Sequence, residues 1–273
     1  MTTQAKLTYS SPEDPIHKKI VIQSLERVTG RRALENKYQE ILDQNPTPKE
    51  VWGQMVEKLG LILEYNEAIL KELPATGPLI FIANHPFGVV DGIVLGRTVA
   101  QVREEFKFLV NAVLCKEKLL NQFFLPVAFE ESRDAQAINI QTRKDALKCL
   151  AEGQSVVIFP SGGVATAKKF WKKAEELEWK RFVVKLIRKS DAPVVPVYFH
   201  GQNSRLFQVL SIFSMDLRVA LLLNEVRNKM GKKVKFVIGS PIPQEELESI
   251  SNKKQLLKHL YKKVHELKKG KNS

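Results

Sequence analysis

Beyond Gly77, short and continuously apolar segments alternate with segments of helical periodicity, and this alternation constrains the fold most strongly. Strands that are apolar on both faces and joined by helices are typical of a mostly parallel sheet flanked by helices. The sequence therefore predicts an α/β fold. The predicted strands are 78–83, 106–114, 155–159, 194–199 and 234–238, and the helices between them are 92–105, 139–152, 179–190 and 217–230.

Helical segments flank this alternating part. Residues 13–72 show helical spacing, although the pattern leaves open whether 61–65 continues as helix or forms a strand. Residues 244–269 predict a C-terminal amphipathic helix. We expect an N-terminal helical extension over 1–72 and an α/β domain over 73–273, packed as one compact unit.

The net charge of +13 is concentrated in two segments. Residues 168–189 hold nine basic and three acidic side chains, residues 253–273 hold eight lysines and one acid, and the rest of the chain is neutral. Such runs are often only solvated helix faces, but they also suit phosphates, an acidic carrier protein or an anionic membrane. The sequence has no helix-turn-helix, zinc or RNA-binding signature, so we expect no nucleic-acid partner.

Composition narrows the cellular setting. No run approaches the ~18 consecutive apolar residues of a membrane-spanning helix. The N-terminal segment lacks the apolar core of a secretory signal. The two cysteines suit a reducing compartment, because they cannot form a disulfide framework. With the basic segments, these features predict a cytoplasmic protein that is peripheral on the inner face of the membrane.

The strand predicted over 78–83 runs into a turn that contains His85 and Asp91. Ligands bind at the carboxyl ends of strands in open parallel sheets, which is where this turn lies. Asp91 is expected to cap the following helix. A carboxylate can fix one tautomer of an imidazole and stabilise the imidazolium that forms on proton abstraction. Taken in isolation, such a pair is more often a structural histidine and a helix cap.

A second strand, over 155–159, ends in a Gly-rich turn. Successive backbone N–H groups in such a turn can bind an anion. Ser161 is not placed as a hydrolase nucleophile, because Phe159 stands where the G-x-S-x-G motif needs glycine. The turn does not match a Walker loop either, since Gly163 is not followed by Lys-Ser or Lys-Thr. An ordinary strand-ending turn is the alternative.

Together, in this order, the motifs resemble the PlsC-like glycerolipid and lysophospholipid acyltransferase superfamily. Asn84-His85-Pro86…Asp91-Gly92 is similar to its first block, with five intervening residues instead of four. Phe159-Pro160-Ser161-Gly162 is similar to Phe-Pro-Glu-Gly, with serine in place of glutamate. The strand 194–199, with its internal proline, is similar to the fourth block. The first block and residues 200–207 resemble the lyso-ornithine-lipid and hemolysin-like branch.

Two departures concern head-group binding. Gly163 stands where the hemolysin-like branch often has glutamate, and no arginine follows the turn as it does in the family. The second block resembles 129–133 only loosely. A phosphate or other head group would then be bound by Lys168, Lys169, Arg133 or Arg205.

The resemblance implies an O-acyltransferase. The donor would be a thioester, acyl-CoA or acyl carrier protein, and the acceptor the hydroxyl of a lysolipid such as lysophosphatidate or lyso-ornithine lipid, with no cofactor and no metal. His85 would be the general base and Asp91 its support. Besides the basic candidates for the head group, the resemblance implies substrate contacts from Asn84, Gly88, Phe159, Pro160, Ser161, Gly162 and Gly163.

Other interpretations remain. The missing glutamate fits a catalytically impaired homologue that binds membranes or lipids, and the charge alone fits a nucleic-acid-binding protein. A metal hydrolase is disfavoured, because His85 and Asp91 lack further ligands at metal-binding spacing. Twelve of the 17 residues in 207–223 are apolar and only Asp216 and Arg218 are charged, so this run is a core helix, an interfacial helix or an acyl-chain wall.

Overall fold

A computed structural model describes residues 15, 16, 19, 20, 22 and 24 and the ranges 30–116, 118–128, 132–213 and 215–269. The described strands are β1 (Ile62–Glu64), β2 (Leu79–Ala83), β3 (Phe106–Asn111), β4 (Phe124–Val127), β5 (Ser155–Ile158), β6 (Val194–Phe199) and β7 (Lys233–Ile238). The described α-helices are α1 (Arg31–Leu42), α2 (Glu50–Lys58), α3 (Val89–Ala100), α4 (Lys118–Asn121), α5 (Arg133–Ala151), α6 (Phe182–Ile187), α7 (Arg205–Phe213), α8 (Met215–Ala220), α9 (Leu222–Lys229), α10 (Gln244–Ser249) and α11 (Lys253–Glu266). Short 3-10 turns cover Glu67–Glu72, Ala112–Lys116 and Leu267–Lys269.

The strands form one mostly parallel sheet in the order β1-β7-β6-β2-β5-β3-β4. Only β6 and β7 pair antiparallel. β2 lies at the centre, where its Ile82 is opposite Ile158 of β5 and Pro196 of β6. Because parallel strands end at the same edge of a sheet, the turns after these three strands meet there. The predicted α/β fold is confirmed.

Successive residues of β2 point into two apolar cores, one on each face of the sheet. Phe81 belongs to the core covered by α1, α2, α3 and α9, and Ile80 belongs to the core covered by α5, α6, α10 and α11. All five residues of β2 are buried. This two-sided burial is why the strands are continuously apolar in sequence.

Each of the five predicted strands is present, and two further strands, one in an undecided segment and one that was not predicted, complete the described sheet. The undecided segment 61–65 contains β1, which pairs with β7. β4 contains Pro126, whose missing N–H argues against a strand inside a sheet. β4 is tolerated because it lies at the edge of the sheet.

The predicted helices differ mainly at their ends. The helix predicted over 217–230 is two helices, α8 and α9, and the C-terminal region also divides into α10 and α11. α5 begins at Arg133, six residues before the predicted start, because the Ser132 hydroxyl caps it by accepting the Ala135 N–H at 3.0 Å. Local capping and tertiary packing, rather than apolar spacing, set these boundaries.

The described part of the N-terminal extension is integrated into the sheet and its core. β1 is a strand of the sheet, and Trp52 of α2 packs against Phe108, with ring centroids 5.3 Å apart. The division between 1–72 and 73–273 stays a prediction. Most of the helix expected before Gly30, and the end of the chain from 270, lie outside the described residues.

Arg103, which no sequence pattern singled out, connects the loops that precede β2 and β5. Its buried guanidinium donates to the carbonyl oxygens of Pro74 at 2.6 Å, Gly153 at 2.7 Å and Gly77. Burial lowers the pKa of this guanidinium. By fixing where two neighbouring strands begin, Arg103 helps to set where their carboxyl ends lie.

Gly96 of α3 lies against the indole of Trp52, where an added Cβ would come within 2.3 Å of Cε3. Gly96→Ala must therefore displace a ring that packs among several phenylalanines. We expect the free energy of unfolding in urea to fall by about 1–3 kcal/mol. Gly92→Ala in the same helix is the matched control. Its Cβ would meet no atom within 4 Å, so stability should be unchanged or rise by up to ~1 kcal/mol. Equal stabilities of the two variants would contradict this packing.

Candidate active site

The helix after the first motif begins earlier than the sequence predicts. We expected Asp91 to be its N-cap, but α3 starts at Val89 with Gly88 as the N-cap, and Asp91 lies in the first turn. Gly88 suits this place because its φ of 82° lies in the left-handed region. A Cβ there would also come within 3.0 Å of the side chains of Leu222 and Val164.

Asp91 is fully buried. Its Oδ2 accepts the N–H of Phe87 at 2.8 Å and that of Gly88 at 2.9 Å, and the same oxygen lies 3.0 Å from Nδ1 of His85. Oδ1 is buried and has no hydrogen-bond partner among the described residues. Burial raises the pKa of Asp91, and the contacts at Oδ2 counteract that shift. A carboxylate therefore lies directly behind the histidine.

His85 turns one ring nitrogen to Asp91 and leaves the other accessible. Nδ1 is buried, and its contact with Oδ2 is short in distance but bent from the ideal hydrogen-bond direction. The side chain is 16% exposed, and the accessible part of the ring carries Nε2. Loose alignment of this kind is common in sites without substrate. The arrangement leaves Nε2 available to accept a proton.

The Gly-rich turn after β5 lies directly beside this histidine. The ring of Phe159 stacks on the imidazole of His85, with centroids 4.1 Å apart and planes at 23°. The N–H of Ala165 donates to the carbonyl oxygen of His85 at 2.8 Å. Two motifs far apart in the chain thus meet at the carboxyl ends of β2 and β5, which are adjacent parallel strands.

Hydrogen bonds inside the turn hold its shape. The hydroxyl of Ser161 donates to the carbonyl oxygen of Gly163 at 3.0 Å, and the N–H of Gly162 donates to that of Phe159 at 2.9 Å. The serine hydroxyl is thus engaged in the turn. The N–H groups of Gly163 and Val164 have no acceptor within the part of the chain that the structure describes. Backbone N–H groups without an acceptor suit an anionic oxygen.

A buried arginine that motif analysis missed faces the same turn. Arg218 of α8 is 9% exposed and donates from Nη2 to the carbonyl oxygen of Val164. An added Cβ on Gly163 would lie 3.8 Å from this Nη2. Burial lowers the pKa of Arg218, and none of the described carboxylates pairs with it. The signal in the sequence was its position as the single basic residue in the apolar run 207–223.

A second cation that the sequence did not indicate is Lys229, at the end of α9. Its Nζ lies 3.9 Å from the ring centroid of Phe87, the residue whose N–H binds Asp91. Burial lowers the pKa of Lys229, whereas Glu225 and Asp91 act to raise it. Lys229 therefore adds positive potential close to the buried carboxylate.

Two of the basic residues expected at the head group, Lys168 and Arg205, make other contacts. Lys168 Nζ lies 2.8 Å from Glu175, and Arg205 donates to the carbonyl oxygen of Lys172 at 3.1 Å. Arg133 is exposed and follows β4, which lies three strands from β2, or about 14 Å at the usual strand spacing. No described contact brings any of the three to the imidazole. Their part in substrate binding stays a prediction.

The side chain of Asn84 forms hydrogen bonds within the sheet. Its Nδ2 donates to the carbonyl oxygen of Phe199 at 2.9 Å, and its Oδ1 accepts the Phe199 N–H at 2.6 Å. Asn84 therefore ties β2 to β6 at the edge where the site lies, and its contact with substrate stays a prediction. Residues 129–131 of the loosely matched second block lie outside the described residues.

The apolar run 207–223 is partly core and partly surface. Leu221 and Leu223 are buried, whereas Ile212 and Phe213 of α7 are exposed. No described helix is long and apolar enough to cross a bilayer. Within the described ranges, no three His, Cys, Asp or Glu side chains form a group that could hold a metal ion.

Comparison with known proteins agrees with the motifs. Two relatives, 26% and 27% identical, are lyso-glycine lipid O-acyltransferases of Phocaeicola vulgatus and Bacteroides thetaiotaomicron, and each match covers 72% of this chain and 71% or 73% of the relative. A 1-acyl-sn-glycerol-3-phosphate acyltransferase of Bacillus subtilis is 26% identical over 72% of this chain and 81% of its own. The solved structure of the 1-acyl-sn-glycerophosphate acyltransferase PlsC from Thermotoga maritima has a TM-score of 0.49 and 15% identity, over 94% of this chain and 82% of that one.

The family comparison covers most of the chain. A family model described as Acyltransferase matches residues 40–273. The match includes the turn with His85 and Asp91 and the turn that begins at Phe159, the two segments that the structure brings together. The chain therefore belongs to the acyltransferase family, and the PlsC-like resemblance of its motifs is confirmed.

Proposed function

We propose that this acyltransferase transfers a fatty acyl group from a thioester, either acyl-CoA or an acyl carrier protein, to the hydroxyl of a lysolipid with an anionic head group. The geometry at His85 supports the proposal most directly: Nδ1 lies 3.0 Å from the buried Asp91, and Nε2 is accessible. A base in this setting suits deprotonation of an alcohol. The catalytically impaired alternative has less support, because the base and its carboxylate are both in place.

The proposed reaction is an addition followed by an elimination. Nε2 of His85 takes the proton of the acceptor hydroxyl while the oxygen attacks the carbonyl carbon of the thioester. Asp91 offsets the positive charge that the imidazole acquires. The tetrahedral intermediate then expels the thiolate, which takes the proton back from Nε2. One C–O bond forms, one C–S bond breaks, and no acyl-enzyme intermediate is required.

The turn after β5 supplies donors for the oxyanion of this intermediate. The N–H groups of Gly163 and Val164 lack acceptors among the described residues, and the next residue, Ala165, is hydrogen-bonded to His85. Donors that are fixed before the reaction stabilise developing charge without reorganisation, and one such donor is typically worth about 10²–10³-fold in rate. We assign this role to these two N–H groups.

Arg218 supports an anionic acceptor. Arg218 is buried and pairs with none of the described carboxylates. A guanidinium in this setting suits a carboxylate or phosphate, which it binds through charge-assisted hydrogen bonds. A glutamate at position 163 would bring a carboxylate within its reach, so Gly163 leaves Arg218 to the substrate. The names of the relatives and the resemblance together give lyso-glycine lipid, lysophosphatidate and lyso-ornithine lipid as acceptors to test.

Product masses from an acceptor panel test the proposed function. Purified protein is given each of these three lysolipids, or neutral monoacylglycerol, with acyl-CoA and with acyl carrier protein thioesters. We expect an O-acylated product from at least one acceptor that bears a carboxylate or phosphate. The proposal is wrong if folded protein acylates only monoacylglycerol, or acylates none of the acceptors.

Arg218→Gln tests head-group recognition. Glutamine can still donate to the carbonyl oxygen of Val164, so the fold should survive, but the charge is lost. Loss of a charged hydrogen bond should raise KM for the preferred anionic lysolipid by about 10–100-fold, with kcat changed by less than ~3-fold. Arg32→Gln, which removes an exposed arginine of α1, is the matched control. An unchanged KM in Arg218→Gln, or an equal rise in both variants, would remove Arg218 from the head-group site.

A further inference from the structure

An exposed apolar surface ringed by lysines lies beside the active site. Phe170, Trp171, Ile212 and Phe213 line a shallow groove of about 390 Å³ together with Lys168 and Lys169. The docking surface is defined here as residues 168–173 with Leu206, Ile212 and Phe213. We propose that this surface binds the protein to an anionic phospholipid membrane.

The aromatic side chains of the docking surface are unusually exposed for apolar groups. Phe213 is 75% exposed, Phe170 62% and Trp171 59%. Among the described residues, one other large aromatic side chain is exposed, Tyr261, and it is only 42% exposed. Phe170 and Trp171 pack edge to face, with centroids 4.5 Å apart. Monomeric proteins rarely leave a contiguous patch of this kind in water unless it binds something.

Helix α7 and the lysine-rich loop form this surface together. α7 is apolar on both sides: Phe207 is fully buried, whereas Leu206 and Phe213 are exposed. Leu206 and Phe213 are seven residues apart, so they share one face of the helix. Arg205, at the start of α7, donates to the carbonyl oxygen of Lys172 in the loop. A helix with apolar side chains facing outward suits the interface of a bilayer.

The positive charge of the docking surface indicates what it binds. Residues 168–173 contain four exposed lysines and no acid. Lys169 Nζ lies 5.3 Å from the ring centroid of Trp171, so positive charge borders the apolar centre directly. Anionic head groups above acyl chains complement this arrangement. A second copy of the chain would place lysine against lysine, and like charges oppose such pairing.

The position of the docking surface suits a lipid substrate. The backbone of Ala165 is hydrogen-bonded to His85, and Lys168 follows only three residues later, a span of at most about 11 Å. The N–H of Ala167 donates to Gln208 of α7 at 2.7 Å, which fixes the loop against the helix. A membrane held here would present lysolipid close to the imidazole. Delivery of lysolipid to the imidazole rests on the proposed function, whereas binding to vesicles can be measured without turnover.

Tryptophan fluorescence reports the docking directly, because Trp171 is exposed while Trp52 and Trp179 are buried. On addition of vesicles with 30% phosphatidylglycerol in phosphatidylcholine, we expect the emission maximum to shift to shorter wavelength and acrylamide quenching to decrease. Pure phosphatidylcholine should produce little change, and high salt should weaken the binding. Equal binding to both vesicle types would overturn the proposal.

Substitutions that spare Trp171 locate the binding surface. Phe213→Ser should lower vesicle affinity at least ~10-fold, because a phenylalanine side chain that enters the bilayer contributes strongly to membrane partition. Lys169→Glu should reduce both the affinity and its salt dependence. Ile140→Ser, which removes an exposed apolar side chain of α5, is the matched control and should bind like the parent. Parent-like binding by Phe213→Ser and Lys169→Glu would overturn the proposal.

Two further measurements distinguish membrane binding from the proposed catalysis and from dimerisation of the chain. His85→Ala should bind vesicles like the parent protein, so failure of the proposed chemistry would not mimic failure of docking. Light scattering tests the second-copy alternative. A parent dimer that Phe213→Ser converts to monomer, without vesicle binding by either protein, would show that the surface joins two chains and would overturn the membrane proposal.

Discussion

Replacement of His85 by alanine is expected to lower turnover by about 10²–10⁴-fold, the usual contribution of a general base. The imidazole is 16% exposed, and its main side-chain contacts are the stacked ring of Phe159 and the bent contact with Asp91. Because no large core group is lost, the thermal unfolding temperature should change little. The rate is measured with the lysolipid that the acceptor panel identifies, at saturating thioester.

His259→Ala is the matched control for this experiment. His259 also contacts a carboxylate, with Nε2 2.9 Å from Glu246, but it lies on α11 away from the turn after β2. Its loss should leave turnover within ~2-fold of the parent. A folded His85→Ala protein that acylates lysolipid at the parent rate would refute the general-base mechanism.

Asp91→Asn is expected to reduce turnover by a similar ~10²–10⁴-fold while keeping or raising stability. An asparagine cannot offset the charge of an imidazolium, and an amide N–H directed at Nδ1 would favour the tautomer that protonates Nε2. Burial raises the pKa of Asp91 above its usual value of 3.8, so the ionised form is destabilising in the folded protein.

The pH dependence of unfolding tests whether ionised Asp91 destabilises the folded protein. A raised pKa in the folded state means that the parent loses stability as the pH rises through that pKa, whereas Asp91→Asn does not. The unfolding temperature of Asp91→Asn should therefore match or exceed that of the parent at pH 8, and its advantage should shrink toward pH 4. A variant that is less stable than the parent at pH 8, with the difference vanishing in acid, would contradict a raised pKa.

The order of strands and helices was predictable because the continuous apolar runs of the strands and the apolar spacing of the helices both depend on neighbouring residues. A strand such as β2 is buried on both faces, so its continuous run of apolar residues is visible in the sequence. β4 escaped prediction because Pro126 argues against a strand unless it lies at an edge, and the edge position belongs to the assembled sheet. Helix ends were less predictable, since Ser132 caps α5 at a place that apolar spacing does not mark.

The residues of the candidate active site divide in the same way. His85 and Asp91 lie six residues apart in one turn, so their pairing was accessible to sequence analysis. The exact place of Asp91 in the helix was not, because Gly88 starts α3 earlier than expected. Arg218 reaches the turn from a distant helix, and its sequence position gave only the hint of a charge in an apolar run.

The sequence by itself determined the α/β class, the histidine and aspartate of the first turn, and the family resemblance, because all of these depend on neighbours along the chain. Only the tertiary structure decided that Phe159 stacks on His85, that Arg218, which pairs with none of the described carboxylates, faces Gly163, and that an exposed aromatic surface borders the site. These features depend on which strands are adjacent and on which helix covers them, and that arrangement follows from burial of the whole core rather than from any local pattern.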